Sequence, residues 1–218
     1  MKKTALTALL VGFALGAFGQ GQVVFNNRVT TGTTGAYAPI LAPVYGVNPL
    51  APLERRSGQS AAGTPSGSQT YGGPLLAGTS FTASLWAGLS GTPDGNLSLV
   101  PGTTQAFRTG AGAGYVSGFG IVNVTGVAGD SAERATFQLR AWDNLNGTVT
   151  TWAAAMANPL AARGASDAFT LNAPLGGGTT VAPNLIGLTS FNLTVVPEPG
   201  VIALGVLGLG ALLLRRRK

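Results

Sequence analysis

Arg134-Ala135-Thr136-Phe137-Gln138-Leu139-Arg140-Ala141-Trp142 carries an apolar residue at every second position. An extended chain turns successive side chains to opposite faces. Ala135, Phe137, Leu139 and Ala141 are therefore expected to face a core, with Thr136, Gln138, Arg140 and Trp142 on the other side. Thr79 to Ala87 repeats the period, with Phe81, Ala83 and Leu85 on one face and Thr82, Ser84 and Trp86 opposite. Ser190 to Val195 does the same, as does Tyr115 to Val127 through its glycines. Period two with one polar face is the pattern of antiparallel strands lying over a core. Turn-forming runs recur between them, such as Pro93-Asp94-Gly95-Asn96 and Asp143-Asn144-Leu145-Asn146-Gly147. Trp152 to Ala157 is the single helix candidate, short and alanine-rich. The sequence thus predicts an all-β fold, an antiparallel β-sandwich or jelly-roll-like single domain over residues 20–195. Residues 30–35 and 57–73 are rich in Gly, Ser and Thr and are expected to be loops, the second a candidate for mobility. Residues 181–195 are expected to form the last strand region.

Composition excludes several chemistries. With no Cys there is no disulfide framework or thiolate metal site, and with no His there is no Ser-His-Asp triad or imidazole ligand. Seven acidic residues in 218 leave little material for carboxylate chemistry. The net charge of +6 resides at the chain ends, on Lys2, Lys3, Arg215, Arg216, Arg217 and Lys218. Between these ends seven Arg face seven acids, so no basic patch of the kind that binds nucleic-acid phosphates is expected.

Both ends have the composition of targeting segments. Met1-Lys2-Lys3 precedes a mostly apolar run from Ala5 to Phe18, the pattern of a secretory signal peptide. Ala17 and Gly19 supply small residues at −3 and −1, so residues 1–19 are expected to be cut away by signal peptidase during export. At the other end, Pro197-Glu198-Pro199-Gly200 stops the last strand and opens a helix. Glu198 would sit at the positive end of that helix dipole and the basic cluster at its negative end. Residues 201–214 are apolar, about 21 Å as a helix against a hydrocarbon core of about 30 Å. This short transmembrane helix is a marginal anchor with Arg215, Arg216, Arg217 and Lys218 as its basic stop. Basic residues favour the cytoplasmic side, which leaves the body of the chain outside.

Pro197-Glu198-Pro199, a short Gly/Leu-rich span and a terminal Arg cluster, in that order, resemble the PEP-CTERM sorting signal of Gram-negative bacteria. The resemblance covers residues 196–218. It implies recognition by an exosortase at the inner membrane, cutting near the tripeptide, and delivery to the cell surface or an exopolysaccharide matrix. Phe25-Asn26-Asn27-Arg28 and Arg140-Ala141-Trp142-Asp143 are similar to segments of other exported proteins with this tail.

Within the body, Gly110-Ala111-Gly112-Ala113-Gly114-Tyr115 lacks the following helix that a phosphate-cradling loop requires, and a strand connection is expected. Asp94, Asp130, Asp143 and Asp167 fall in or near turns. Asp143-Asn144-Leu145-Asn146-Gly147 comes nearest to a calcium loop but lacks the later bidentate acid, so turn formation is the favoured role. Glu54, Glu133 and the four Asp show no spacing that marks a glycosidase pair. No catalytic residue, metal site or cofactor is expected. Trp86 and Trp142 share the polar face of their strands, where exposed rings would stack on sugars. Burial under loops or a second sheet is the commoner fate of Trp and is favoured here. The expectation is a non-enzymatic exported surface or matrix protein associated with exopolysaccharide. The alternatives are an extracellular carbohydrate-active enzyme using acids, or an adhesin whose anchor is retained.

Overall fold

The computed structural model describes residues 19–118 and 120–196. Ala17, the tripeptide Pro197–Pro199, the span 201–214 and the basic stop lie outside the described residues. No helix among the described residues is long and apolar enough to cross a membrane.

The chain is mostly β with a multi-strand antiparallel sheet. In order, the strands are β1 (Gln20–Phe25), β2 (Arg28–Val29), β3 (Ile40–Leu41), β4 (Val44–Tyr45), β5 (Phe81–Leu89), β6 (Ser98–Leu99), β7 (Gln105–Ala106), β8 (Gly120–Ala128), β9 (Ala135–Asp143), β10 (Arg163–Ala165), β11 (Phe169–Thr170) and β12 (Phe191–Asn192). One short helix, α1 (Trp152–Ala157), follows β9, as its alanine content predicts. Its first turn is capped by Thr151, whose Oγ1 accepts the Ala154 N–H at 3.1 Å.

The two cleanest period-two segments form the centre of the molecule. β5 and β9 pair antiparallel over nine residues, from Phe81 opposite Asp143 to Leu89 opposite Ala135. β10 and β11 extend the sheet on the β9 side, β6 and β7 on the β5 side. Ala83, Leu85, Phe137, Leu139 and Ala141 are fully buried on the predicted core face. They join Val23 and Phe25 of β1, Val124 and Val127 of β8, and Leu175, Leu185, Phe191 and Leu193 in one cluster. Burial of the Val, Leu and Phe side chains among them supplies about 1.5–3 kcal/mol each, which is why the alternation fixes the register.

The opposite face departs from expectation. Every residue of β9 from Ala135 to Trp142 is buried, so the polar face is covered rather than solvated. The cover comes from the turn at Asp94–Asn96, from Ser166 and from α1, none of which the strand period can announce. Two further corrections concern strand extents. Of residues 181–195 only Phe191–Asn192 forms strand, and it pairs parallel with β4. Similarly, β8 starts at Gly120, and Val116 makes only an isolated bridge to Phe107.

Polar side chains tie down the segments that lack regular structure. Asn27 is completely buried. Its Nδ2 donates to the carbonyls of Ala42 at 2.9 Å and Gly114 at 3.0 Å, and its Oδ1 accepts the Val116 N–H at 2.9 Å. One side chain thus joins three distant stretches of backbone. The 57–73 loop is anchored in the same manner. Gln59 donates to the carbonyls of Leu41 and Thr64 and accepts from Ser190. Tyr71 stacks on Tyr45 with centroids 4.2 Å apart and directs its hydroxyl at the carbonyls of Gly58 and Ser190.

Burial, and then the neighbouring Tyr45, push the Tyr71 hydroxyl well above the ordinary tyrosine value of about 10. A raised folded-state pKa means that the unfolded chain loses this proton first. Stability is therefore expected to be intact below about pH 10 and to fall above it. Denaturant midpoints measured from pH 8 to 11 should decline, and decline less steeply in Tyr71→Phe.

Candidate functional site

The covered polar face of β5 and β9 carries an extended side-chain cluster centred on Arg140. Register places Thr82 opposite Trp142, Ser84 opposite Arg140 and Trp86 opposite Gln138, so these six side chains share one face. Arg140 lies at the centre, 8% exposed. Its guanidinium sits over the Trp86 ring, 4.1 Å from the centroid, and 5.5 Å from that of Trp152. Nε donates to Gln138 Oε1 at 2.7 Å and Nη2 to the Asp94 carbonyl at 2.6 Å. Gln138 in turn donates to Asp94 Oδ2 at 3.1 Å and to the Ser166 carbonyl at 3.1 Å. Desolvation pulls Arg140 below its ordinary pKa, and the nearby Asp94 charge opposes that shift. The guanidinium stays cationic, because arginine does not lose its proton in proteins.

Trp142 is buried, as the general tendency of Trp favours, and its candidacy as a glycan contact is corrected. It is 1% exposed, packed edge-on against Trp152 at 6.1 Å, and its Nε1 donates to the Val149 carbonyl at 2.9 Å. The loop after β9 folds back and covers it under α1. Trp86 and Trp152 are only half-buried. They line a cleft of about 140 Å³ together with Trp142 beneath and the hydroxyls of Ser84, Thr104, Thr150 and Thr151. Trp86 Nε1 donates to Ser84 Oγ at 2.9 Å, which fixes the indole. Pockets that engulf small molecules run to about 300–1,000 Å³. This one is smaller, a shallow cleft of indole surface and hydroxyls.

The acids are dispersed into structural work. Asp130 accepts from the N–H groups of Thr179 and Thr180 and from the Thr180 hydroxyl, which hold its carboxyl far below the usual range. Asp143 Oδ1 accepts the Leu145 N–H, and Asn144 Oδ1 the Gly147 N–H. In the same turn Leu145, Asn146 and Gly147 all have positive φ, as its Asn-Gly sequence favours. Asp167 is pushed up by burial but brought below its ordinary value by Arg55 at 2.8 Å and by Ser57. Glu54 pairs with Arg56, and Glu133 accepts the Ala128 N–H. Among the described residues no three potential ligands gather to hold a metal ion. Gly110–Gly112 forms a 3-10 turn that leads into the Val116 bridge, as the strand-connection reading predicts.

Asp94, Gln138 and Trp152 complete the cluster; from the sequence they are a turn acid, a polar-face strand residue and the start of a helix, and are not brought together around Arg140. Period-two spacing of Gln138, Arg140 and Trp142 was the available signal for one of them. Compared with known proteins, the chain matches no family model, no curated protein and no solved structure.

Proposed function

We propose that this chain is an exported, non-catalytic protein of the cell surface or extracellular matrix, sorted through its C-terminal segment and associated with exopolysaccharide. The observation that carries the proposal is the ordered series Pro197-Glu198-Pro199, apolar residues 201–214 and Arg215–Lys218, opposite an N-terminal signal-like segment ending at Gly19. The cargo is a single β-sandwich or jelly-roll-like domain. Packing of β1 and β8 through Val23, Phe25, Val124 and Val127 onto the core face of β5 and β9 supports that two-layer reading. Signal peptidase and the export machinery, then an exosortase, are its processing partners, and the inner membrane is a transient one. Replacing Pro197, Glu198 and Pro199 with alanine is expected to leave the precursor in the membrane fraction. Unchanged release would contradict sorting through this segment.

The polysaccharide contact is assigned to the Trp86–Trp152 cleft. Indole faces stack on the apolar faces of sugar rings, and the surrounding hydroxyls suit sugar hydroxyls. Trp86→Ala and Trp152→Ala are each expected to weaken retention on the host's matrix polysaccharide in affinity electrophoresis by about tenfold, the equivalent of about 1.4 kcal/mol. Equal retention of folded variants and wild type would remove the cleft from the account.

A further inference from the structure

The chain leaves the body at residues 194–196, between two neighbouring segments. Arg163 and Thr194 exchange both backbone bonds, each at 3.0 Å, and the Val195 N–H donates to the Pro52 carbonyl at 3.0 Å. The exchange is antiparallel, so Val195 runs back past Ala162 toward Leu160. On its other side lies the segment 48–54, closed by turns from Asn48 to Ala51 and from Ala51 to Glu54. Large apolar side chains stand uncovered around this exit: Leu50, Leu53, Leu160 and Val195, with Leu50 93% and Leu160 68% exposed. Met156 joins them from α1, whose C-terminal end is held here by Arg163 Nη1 through the carbonyls of Ala155 and Asn158. The charged groups beside them form the pairs Arg55–Asp167 and Glu54–Arg56, which carry no net charge.

A cluster of exposed apolar residues marks a surface that something covers. The chain itself indicates what. Four residues separate Val196 from the apolar run 201–214. The five Cα-to-Cα steps from Val196 to Val201 reach at most about 18 Å, and a headgroup layer is about 5–8 Å thick. An anchor in 201–214 therefore keeps the exit within reach of the bilayer surface and makes any contact between the two intramolecular. The other end of the sheet is remote: Arg163 stands opposite Trp142, and Ala135, paired with Leu89, lies about 23 Å farther along β9. We infer that the exit face is a membrane-docking surface: Leu50, Leu53, Met156, Leu160 and Val195 sit in the interfacial layer of the bilayer that receives the tail, so that the body rests on the membrane instead of swinging from it. The inference rests on the reading of 201–214 as a membrane anchor.

The absence of cysteine lets single positions report. The membrane-anchored chain, purified in mild detergent, would carry one bimane-labelled cysteine, at Leu50→Cys, Leu160→Cys, Leu89→Cys or Leu209→Cys. It would be reconstituted into phosphatidylethanolamine–phosphatidylglycerol vesicles containing spin-labelled lipid. Labels at positions 50 and 160 are expected to be quenched at least about threefold more than the label at position 89. With Leu50→Glu and Met156→Glu together, both at exposed sites, quenching of the Leu160→Cys label should fall to that of the Leu89→Cys label, while near-ultraviolet circular dichroism stays native. Equal quenching at positions 50, 160 and 89 would overturn the proposal. So would labels at 50 and 160 that are shielded from aqueous iodide yet not quenched by lipid, since a protein would then cover the face. The Leu209→Cys label separates the two readings. Quenching there alone keeps the anchor and removes the docking face; no quenching there removes the anchor and the inference that rests on it.

Discussion

Asn27→Ala is expected to destabilise the domain by about 3–5 kcal/mol, among the largest effects of any polar substitution in this chain. The side chain satisfies the carbonyls of Ala42 and Gly114 and the N–H of Val116 at a site closed to water. Removing it leaves the Ala42 carbonyl and the Val116 N–H without partners, each costing about 1–3 kcal/mol, and takes from the Gly114 carbonyl one of its two bonds, the Val44 N–H at 2.9 Å remaining. Asn27→Asp should be no milder, since it retains the acceptor but loses both donors and buries a charge. Asn26→Ala serves as the comparison. Its Oδ1 accepts only the local Arg28 N–H, and about 1 kcal/mol is expected. Urea unfolding of the three variants checks the ranking, and an Asn27→Ala chain within 1 kcal/mol of wild type would contradict it.

The second large effect is expected at Arg140. Arg140→Ala leaves the buried Gln138 Oε1 without its donor, takes from the Asp94 carbonyl the shorter of its two bonds, the Leu97 N–H remaining at 3.4 Å, and removes the cation from the Trp86 and Trp152 rings. A loss of about 3–4 kcal/mol is expected. Arg140→Lys should recover less than half, because an ammonium cannot reproduce the planar stack and the directed Nε and Nη2 bonds together. A double-mutant cycle with Trp86→Ala should give a coupling energy of about 1–2 kcal/mol. The coupling should change little between low and high salt, because the pair is largely shielded from water. A coupling near zero would show that the stack is incidental.

The two residues also show where sequence reading works and where it stops. Alternation in Arg134–Trp142 and Thr79–Ala87 identified the strands that pair at the centre and the face they bury, because a period of two is a local property of extended chain. It could not show that Arg140 and Trp142 are covered as well. That depends on Asp94, 46 residues before Arg140, and on a chain reversal after Asp143 that brings Trp152 back. Trp142 was placed on the correct face and its burial was favoured on the general tendency of Trp, but the elements that cover it could not be named. Asn27 stood in a recognisable segment, yet nothing local indicates that its partners are Ala42, Gly114 and Val116. The parallel pairing of β12 with β4 was illegible for a related reason. A two-residue strand has too little period to declare its direction, and its pairing follows from the tertiary position of the 57–73 loop and the residues around it.

The destination of the chain is tested most directly by the intact mass of the protein recovered outside the cell. The account predicts a species that starts at Gln20 and ends close to Pro197, lacking both the N-terminal segment and the terminal basic cluster. A mature protein that still carries Arg215 to Lys218 would contradict processing at the tail, and one that still carries Met1 to Gly19 would contradict export through a cleaved signal.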